Sequence, residues 1–359
     1  MKTTFICPTC NKDLWTEVET FEYLASDHEL DGEKSKMLFR RVDTLLHSFL
    51  FRKPKMEPIN YRNLTLKEQK ARKILFEIWF PNPQKIELKS IYCNECGYMT
   101  YRPRPEIEDM HKKYLTTKKG IYQGERTPQE IDQAVVPTMN IDYARVHRLE
   151  KTLKKYLRSK KLKILDYGGG NGQMLLPFVD MGHDCYLVDY TNAYFPGITK
   201  FGDDILDIPN GEKFDVIICS HVLEHLVEPQ RIIQQLKQHI KEDGFIYVEV
   251  PHQIWAGIRC IGYDPITHIN FFTEKSLEYL LKKNGYSICE VEQKISNYGK
   301  NFMEVVFLVA QVNADYGEQN LPEPDIMNFL YPSRSYSLKR YFLPKILKIK
   351  SYLAQALFR

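Results

Sequence analysis

Apolar positions along this chain fall into two periodicities. Leu38, Val42, Leu45, Leu46 and Phe49 recur at three- to four-residue steps, which is the spacing of one helix face. A second helix is expected over Leu66–Trp79, closed by Pro81 and Pro83. From residue 142 onward, short apolar runs alternate with amphipathic stretches. Strands are expected at Lys163–Asp166, Cys185–Asp189, Phe214–Ser220, Phe245–Val250, Ser287–Glu292 and Phe302–Val312. Helices are expected at Asp142–Arg158, Gly172–Met181, Pro229–Lys241 and Thr273–Asn284. Proline is at home at a helix start, Thr273 can cap, and Gly285 is a stop. Such alternation predicts an α/β fold with a mainly parallel sheet covered on both faces.

At 359 residues the chain exceeds one ordinary core, so more than one region is expected. Residues 1–115 carry the cysteine pairs and a largely helical insert, and 116–160 are a linker and leading helix. The alternating domain occupies 161–312, and 313–359 are a tail. A net charge of +4 is too mild for bulk nucleic-acid binding, and no DNA partner is expected. No run approaches the roughly 20 apolar residues of a membrane span, and the first residues lack a signal-peptide core. A cytoplasmic protein with reduced thiols is therefore the expectation. In the tail, Ser335–Arg359 has six basic residues and no acid, with Ile346, Ile349, Leu353 and Leu357 on one helical stripe. That helix either docks on protein or lies peripherally on the inner face of an anionic membrane.

The cysteines divide by spacing. Cys7-Pro-Thr-Cys10 and Cys93-Asn-Glu-Cys96 are C-x-x-C knuckles, each able to bring two thiolates to one metal ion. Together they complete a sulfur tetrahedron for which zinc is the first choice. Four protein ligands leave no open position, so that zinc would be structural. Cys185 and Cys219 lie in apolar runs and read as small hydrophobes.

Between the first strand and helix of the alternating domain stands Asp166-Tyr-Gly168-Gly-Gly170-Asn-Gly172-Gln173. Glycines here let backbone amides approach a ligand at the carboxyl end of a strand. The third glycine of a dinucleotide fingerprint is replaced by Gln173, which argues against a pyrophosphate turn. Asp189 ends the next strand, where a carboxylate can accept ribose hydroxyls, and Asp204 is placed to meet an adenine amino group.

This constellation resembles the class I S-adenosylmethionine (SAM)-dependent methyltransferases over roughly Asp142–Val312. DYGGGNG is similar to their first motif, LVDY to their ribose motif, and FDVIICSHVLEH to their fourth motif with the residues just after it. The resemblance implies a Rossmann-like sheet of seven strands, ordered 3-2-1-4-5-7-6, with only the seventh antiparallel. It also implies that Asp166, Gly168, Gly170 and Gly172 line the amino-acid part of SAM. Asp189 would hold the ribose, Asp204 lie near adenine, and Ser220 and His221 border the methionine end. The front end, CPTC with IYCNECGYMTYRPRP, and the stretch Asp264–Leu277 resemble a bacterial subgroup that modifies sugars, nucleotide sugars or polysaccharides. The resemblance therefore implies a sugar, nucleotide-sugar or glycan acceptor and a role in polysaccharide biosynthesis. The large C-terminal domain of sugar C-methyltransferases is not evident, which counts against transfer to carbon.

Transfer to a hydroxyl needs a proton acceptor that titrates near neutrality, and histidine suits this. His268 ranks first, then His225, then His252, with Glu224 beside His225 as a further candidate. A metal reading of His221-x-x-Glu224-His225 is the weakest of these alternatives. Tyr263 and Asn270 are candidate sugar contacts. Two other functions fit parts of the pattern: an rRNA or tRNA methyltransferase with a zinc module, and a non-catalytic SAM-binding scaffold.

Overall fold

The computed structural model describes residues 5–24, 39–41, 56–58, 73–81, 83, 85–122, 141–157, 161–191, 193–254, 266–298, 301–312, 320–326 and 328. Its N-terminal part contains β1 (Trp15–Leu24), β2 (Phe39–Arg41), β3 (Met56–Pro58), β4 (Lys85–Cys93) and β5 (Met99–Arg102). Helix α1 (Ile107–Tyr122) comes next. The second part begins with α2 (Tyr143–Leu153) and β6 (Lys163–Tyr167), then a 3₁₀ turn at Gln173–Leu175 leading into α3 (Leu176–Asp180). After these come β7 (Asp184–Val188), β8 (Ile198–Gly202), β9 (Phe214–Ser220), α4 (Pro229–Gln238) and β10 (Ile240–Pro251). The series ends with β11 (Asn270–Phe271), α5 (Glu274–Lys283), β12 (Tyr286–Tyr298) and β13 (Asn301–Val312).

Seven strands form one sheet in the order β12-β13-β10-β9-β6-β7-β8. β13 is antiparallel to both neighbours, and the pairs from β10 through β8 are parallel. Counted within the sheet, this is the 3-2-1-4-5-7-6 order expected from the motifs. The apolar run of β9 shows why the central strands read as continuous hydrophobic stretches. Ile217 and Cys219 face one buried cluster, while Val216 and Ile218 face another on the opposite side. Both faces are dry, so both sets of alternating positions must be apolar. A fully buried isoleucine contributes about 1.5–3 kcal/mol, so each such strand supports the sheet from two sides.

Local signals set the helix ends. Thr273 accepts from the Ser276 amide at 3.1 Å, and Ser276 Oγ accepts from the Thr273 amide at 2.8 Å, a reciprocal capping box at the start of α5. Leu277, Leu280 and Leu281 of α5 are then fully buried. The helix expected from Gly172 starts instead as a 3₁₀ turn, because Gly172 has a left-handed backbone and Pro177 is tolerated only at a helix start.

Several expectations are corrected. β8 carries Thr199 and Lys200 and is largely half-exposed, so its apolar pattern is too weak to mark a strand. The described residues of the N-terminal region include five strands that the helical pattern did not predict, and most of the expected helical insert lies outside the described residues. Leu38, Val42, Leu45, Leu46 and Phe49 lie outside the described residues, while Phe39–Arg41 between them pair with Met56–Pro58. Of the second expected helix, Ile74–Trp79 is described and is π-helical. The tail helix, Tyr263 and Cys260 also lie outside the described residues.

The N-terminal sheet has the order β1-β4-β5-β11. Its last strand therefore comes from the alternating domain, with Asn270 opposite Thr100 and Phe271 opposite Met99. α1 runs across the boundary expected at residue 115. Among the described residues, no helix is long and apolar enough to cross a membrane.

Candidate functional site

The four knuckle cysteines converge. Cys7 and Cys96 place their sulfurs 3.7 Å apart, and Cys10 and Cys93 place theirs 3.5 Å apart. All four sulfurs lie within 4.8 Å of one another and are buried. A zinc tetrahedron with bonds of ~2.3 Å has sulfur–sulfur edges of about 3.8 Å, so the spacing fits the ion. Positive φ at Asn11 and Gly97 turns each knuckle just after its second cysteine. Glu95 accepts from the Tyr279 hydroxyl at 3.2 Å, which sets the second knuckle against α5.

At the carboxyl end of β6 the glycine loop forms a cradle. Gly170 has φ of 59° and donates its amide to Asp189 Oδ2 at 3.0 Å. A side chain there would meet nothing within 4 Å, so the open face of the loop lies at this residue. Asp189 Oδ1 also accepts from the Thr191 amide at 2.7 Å. Its carboxylate thus fixes the loop and keeps lone pairs for a further donor. Asp166 lies behind the loop against Gly169, fully buried, and its Oδ2 has no hydrogen-bond partner among the described residues. Burial pushes its carboxyl up to about 7, with Arg145 opposing and Asp189 adding to the shift. The Gly168, Gly170 and Gly172 amides are engaged within the protein, so what the loop offers an amino-acid ligand is close backbone approach, and the buried Asp166 Oδ2 beside it can meet an ammonium. SAM would be held by Asp166, the Gly168–Gly172 loop and Asp189.

The remaining expected cofactor residues divide. Asp204 is exposed and caps the 3₁₀ turn Ile205–Asp207 by accepting from the Leu206 amide at 3.0 Å. Ser220 is buried, accepts from Arg145 at 2.8 Å and donates to Glu249 at 3.2 Å. His221 has φ of 59° and places Nε2 3.2 Å from Glu249 and Nδ1 3.3 Å from Glu224. Burial disfavours its charge, but Glu224 and Glu249 outweigh burial and raise its pKa. Glu249 is further held by Arg145, Arg148 and the Tyr247 hydroxyl. This buried network was not expected. Its signals were present: Arg145 and Arg148 are one helical turn apart, and Glu249 is the one acid in the apolar run Phe245–Val250.

Glu224, His225 and His268, the three candidate catalytic residues, meet at one point. One ligand atom from each lies within 4.8 Å of the others. The 3₁₀ turn Leu223–His225 after β9 supplies two of them, and the loop before β11 supplies the third. The His225 and His268 rings have centroids 4.9 Å apart. His225 Nδ1 is 2.7 Å from the Thr267 carbonyl, and His268 Nδ1 is 2.8 Å from Gln253 Oε1. Burial lowers both histidines, His268 to about 4. Burial also works against the charge on Glu224, but the surrounding imidazoles hold it at about 2.

Helix α1 covers this cluster from the N-terminal side. Tyr114 stands edge-on to His225, with centroids 6.4 Å apart, and stacks on Tyr190 at 6.1 Å. Lys113 donates to the Ile266 carbonyl just before the His268 loop. Arg104 donates to Asn270 Oδ1 at 3.0 Å and to the Val227 carbonyl at 3.0 Å, tying the front end to the same loops. Two expected residues do not join the site. His252 is buried and faces Glu304 and Gln293. Asn270 is buried, takes donors from Tyr98 and Arg104, and donates to the Leu223 and Leu226 carbonyls, so it clamps the fold rather than meeting a ligand.

A family model described as a methyltransferase domain matches residues 141–291. The ubiquinone biosynthesis O-methyltransferase of Rickettsia canadensis is 26% identical over 175 residues, covering 43% of this chain and 74% of that protein. The protein of the same description from Glaesserella parasuis is 31% identical over 131 residues, covering 30% of this chain and 55% of that one. Among solved structures, magnesium protoporphyrin IX methyltransferase of Synechocystis PCC 6803 with bound SAH is similar at 18% identity. It covers 57% of this chain and 97% of that one, with a TM-score of 0.40.

Proposed function

The chain carries a class I SAM-dependent methyltransferase domain, and from that premise we propose that it methylates a sugar or glycan hydroxyl held at Glu224, His225 and His268. The observation that carries this reading is the convergence of these three side chains beneath Tyr114, next to the loops at the carboxyl ends of the strands. In the transfer, the acceptor oxygen attacks the methyl carbon. The carbon–sulfur bond breaks, its electrons go to sulfur, and the hydroxyl proton must leave. The protein's contribution is largely placement of the two reactants. With Nδ1 facing Gln253, His268 turns Nε2 toward the cluster, where it can accept a hydrogen bond from the acceptor hydroxyl. Its burial keeps it neutral near pH 7.

In this reading the four cysteines hold a structural zinc that keeps the front end folded over the acceptor site. A peripheral membrane contact through the C-terminal helix would bring the site to a lipid-linked glycan. A second acceptor class is favoured by the relatives named for ubiquinone biosynthesis: a hydroxyl on a ubiquinone-related ring. The flat surfaces of Tyr114 and Tyr190 suit such a ring. The test is incubation with methyl-labelled SAM and separate pools of nucleotide sugars, polysaccharide, hydroxylated quinone precursors and RNA. Label in a sugar pool supports the first acceptor class and label in the quinone pool selects the second. Label only in RNA overturns both.

A further inference from the structure

We propose that Glu224, His225 and His268 form a divalent-metal site of nitrogen and oxygen donors, and that its ion holds the acceptor hydroxyl beside the methyl group. The inference rests on the reading that this cluster receives the acceptor.

Three observations carry it. Each imidazole has its Nδ1 against a carbonyl oxygen, Thr267 for His225 at 2.7 Å and the Gln253 side chain for His268 at 2.8 Å. An acceptor there requires the proton on Nδ1, so both Nε2 atoms present lone pairs, the arrangement of ligating histidines with outer-sphere partners. Glu224 is 2% exposed, yet neither carboxylate oxygen makes a hydrogen bond among the described residues. Its nearest polar neighbours are ring nitrogens, His221 Nδ1 at 3.3 Å and His225 Nε2 at 3.7 Å. His221 can supply a proton to this carboxylate, whereas His225 presents an Nε2 lone pair to it at 3.7 Å, a repulsion that a cation between them relieves. Finally, the donor atoms lie within 4.8 Å of one another, a spread that small side-chain rotations close onto an ion with bonds of ~2.0–2.2 Å.

The donor set names the class of ion. Two imidazoles and one carboxylate suit manganese, iron or zinc as divalent ions, whereas the four thiolates of the front end select zinc. Three protein ligands leave positions open for the acceptor oxygen and water. There the ion acts as a Lewis acid. The coordinated hydroxyl releases its proton to bulk water, and the oxygen lone pair forms the bond to the methyl carbon. The sulfonium takes the carbon–sulfur electron pair and leaves as a neutral thioether. The imidazoles then ligate rather than take up the proton.

The experiment uses the full chain with the cysteine site zinc-loaded and other metal removed. Mn²⁺ is titrated and free ion followed by its electron paramagnetic resonance signal, with S-adenosylhomocysteine binding measured in parallel by calorimetry. One Mn²⁺ per chain is expected. Glu224→Gln and His268→Asn should each weaken it by more than about 100-fold, and Gln253→Ala, a positioning residue, by ~10-fold or more. S-adenosylhomocysteine affinity should stay within about threefold in all three, which reports that they fold. Absence of Mn²⁺ binding, or binding indifferent to Glu224→Gln, overturns the proposal. Label transfer to an acceptor at an undiminished rate in chelator also overturns it, while leaving hydroxyl methylation standing. Failure of the unmodified chain to bind S-adenosylhomocysteine overturns the methyltransferase reading beneath it.

Discussion

The four-cysteine cluster and the Glu224–His225–His268 cluster are both largely buried, yet they offer different valences. The first brings four sulfurs within 4.8 Å of one another, a set that would fill the coordination of a tetrahedral ion and leave no position for another ligand. The second brings three harder donors and lies beneath aromatic rings of α1 and the loop after β7. A closed soft set supports a fold, and an open harder set supports chemistry. The two are connected physically. The strand after the second knuckle pairs with Asn270 and Phe271, directly after the loop that carries His268.

The comparison breaks most severely if the first cluster proves dispensable. With zinc held by the four cysteines, as proposed, Cys93→Ser is expected to release the ion and unfold the front end, since structural zinc supplies on the order of 10 kcal/mol to small modules. Metal analysis together with limited proteolysis within residues 5–122 checks it. Retained zinc with unchanged proteolysis would remove the structural assignment.

The second cluster should behave in the opposite way. His268→Ala, and separately His225→Ala, should lower turnover by roughly 100-fold or more with little change in the unfolding midpoint or in SAM affinity. Steady-state rates and calorimetry on the same preparations separate these effects. Normal turnover in both variants would exclude the cluster from the chemistry.

A third test concerns the cofactor loop. The Asp166 carboxyl rises from 3.8 to about 7 on folding, so the native state keeps a proton that the unfolded chain has lost. Stability of the cofactor-free protein should therefore fall as pH rises through that window and level off above it, by on the order of a few kcal/mol. Asp166→Asn should flatten the trend in urea unfolding at pH 5 and 7. The ammonium of SAM favours the charged carboxylate, so cofactor affinity should rise with pH across the same range. An equal pH slope in Asp166→Asn would reassign the effect.

The smallest effect is expected at the joint between the clusters. Arg104→Ala removes donors to Asn270 and to the Val227 carbonyl and should cost about 1–2 kcal/mol in stability. It should also raise the Michaelis constant for the acceptor more than it changes the turnover number. An equal loss of SAM affinity would show that the front end supports the whole domain rather than the acceptor side alone.

Much of the alternating domain was legible because its central strands are buried on both faces and its helices carry strong end signals. Phe214–Ser220 coincides with its expected bounds, and Thr273 caps as its position suggested. β8 escaped because an edge strand needs few apolar residues. The N-terminal sheet escaped because β1 and β11 pair with strands far from them along the chain and β11 is two residues long. The candidate residues themselves were visible as residue types. Asn270 shows the limit of that reading: a polar residue in a loop looked like a ligand contact, and its hydrogen bonds instead all go to the fold.

By itself, the sequence determined the sheet domain, the glycine loop at its strand end and two cysteine knuckles, because periodicity and short-range spacing act within a few residues. Tertiary structure decided what met what. It placed Cys7 and Cys10 against Cys96 and Cys93, 89 and 83 positions along the chain, set His268 beside Glu224 and His225, and buried Glu249 among cations. Such meetings depend on the order in which strands pair and on which faces exclude water, and neither is written in any local stretch of the chain.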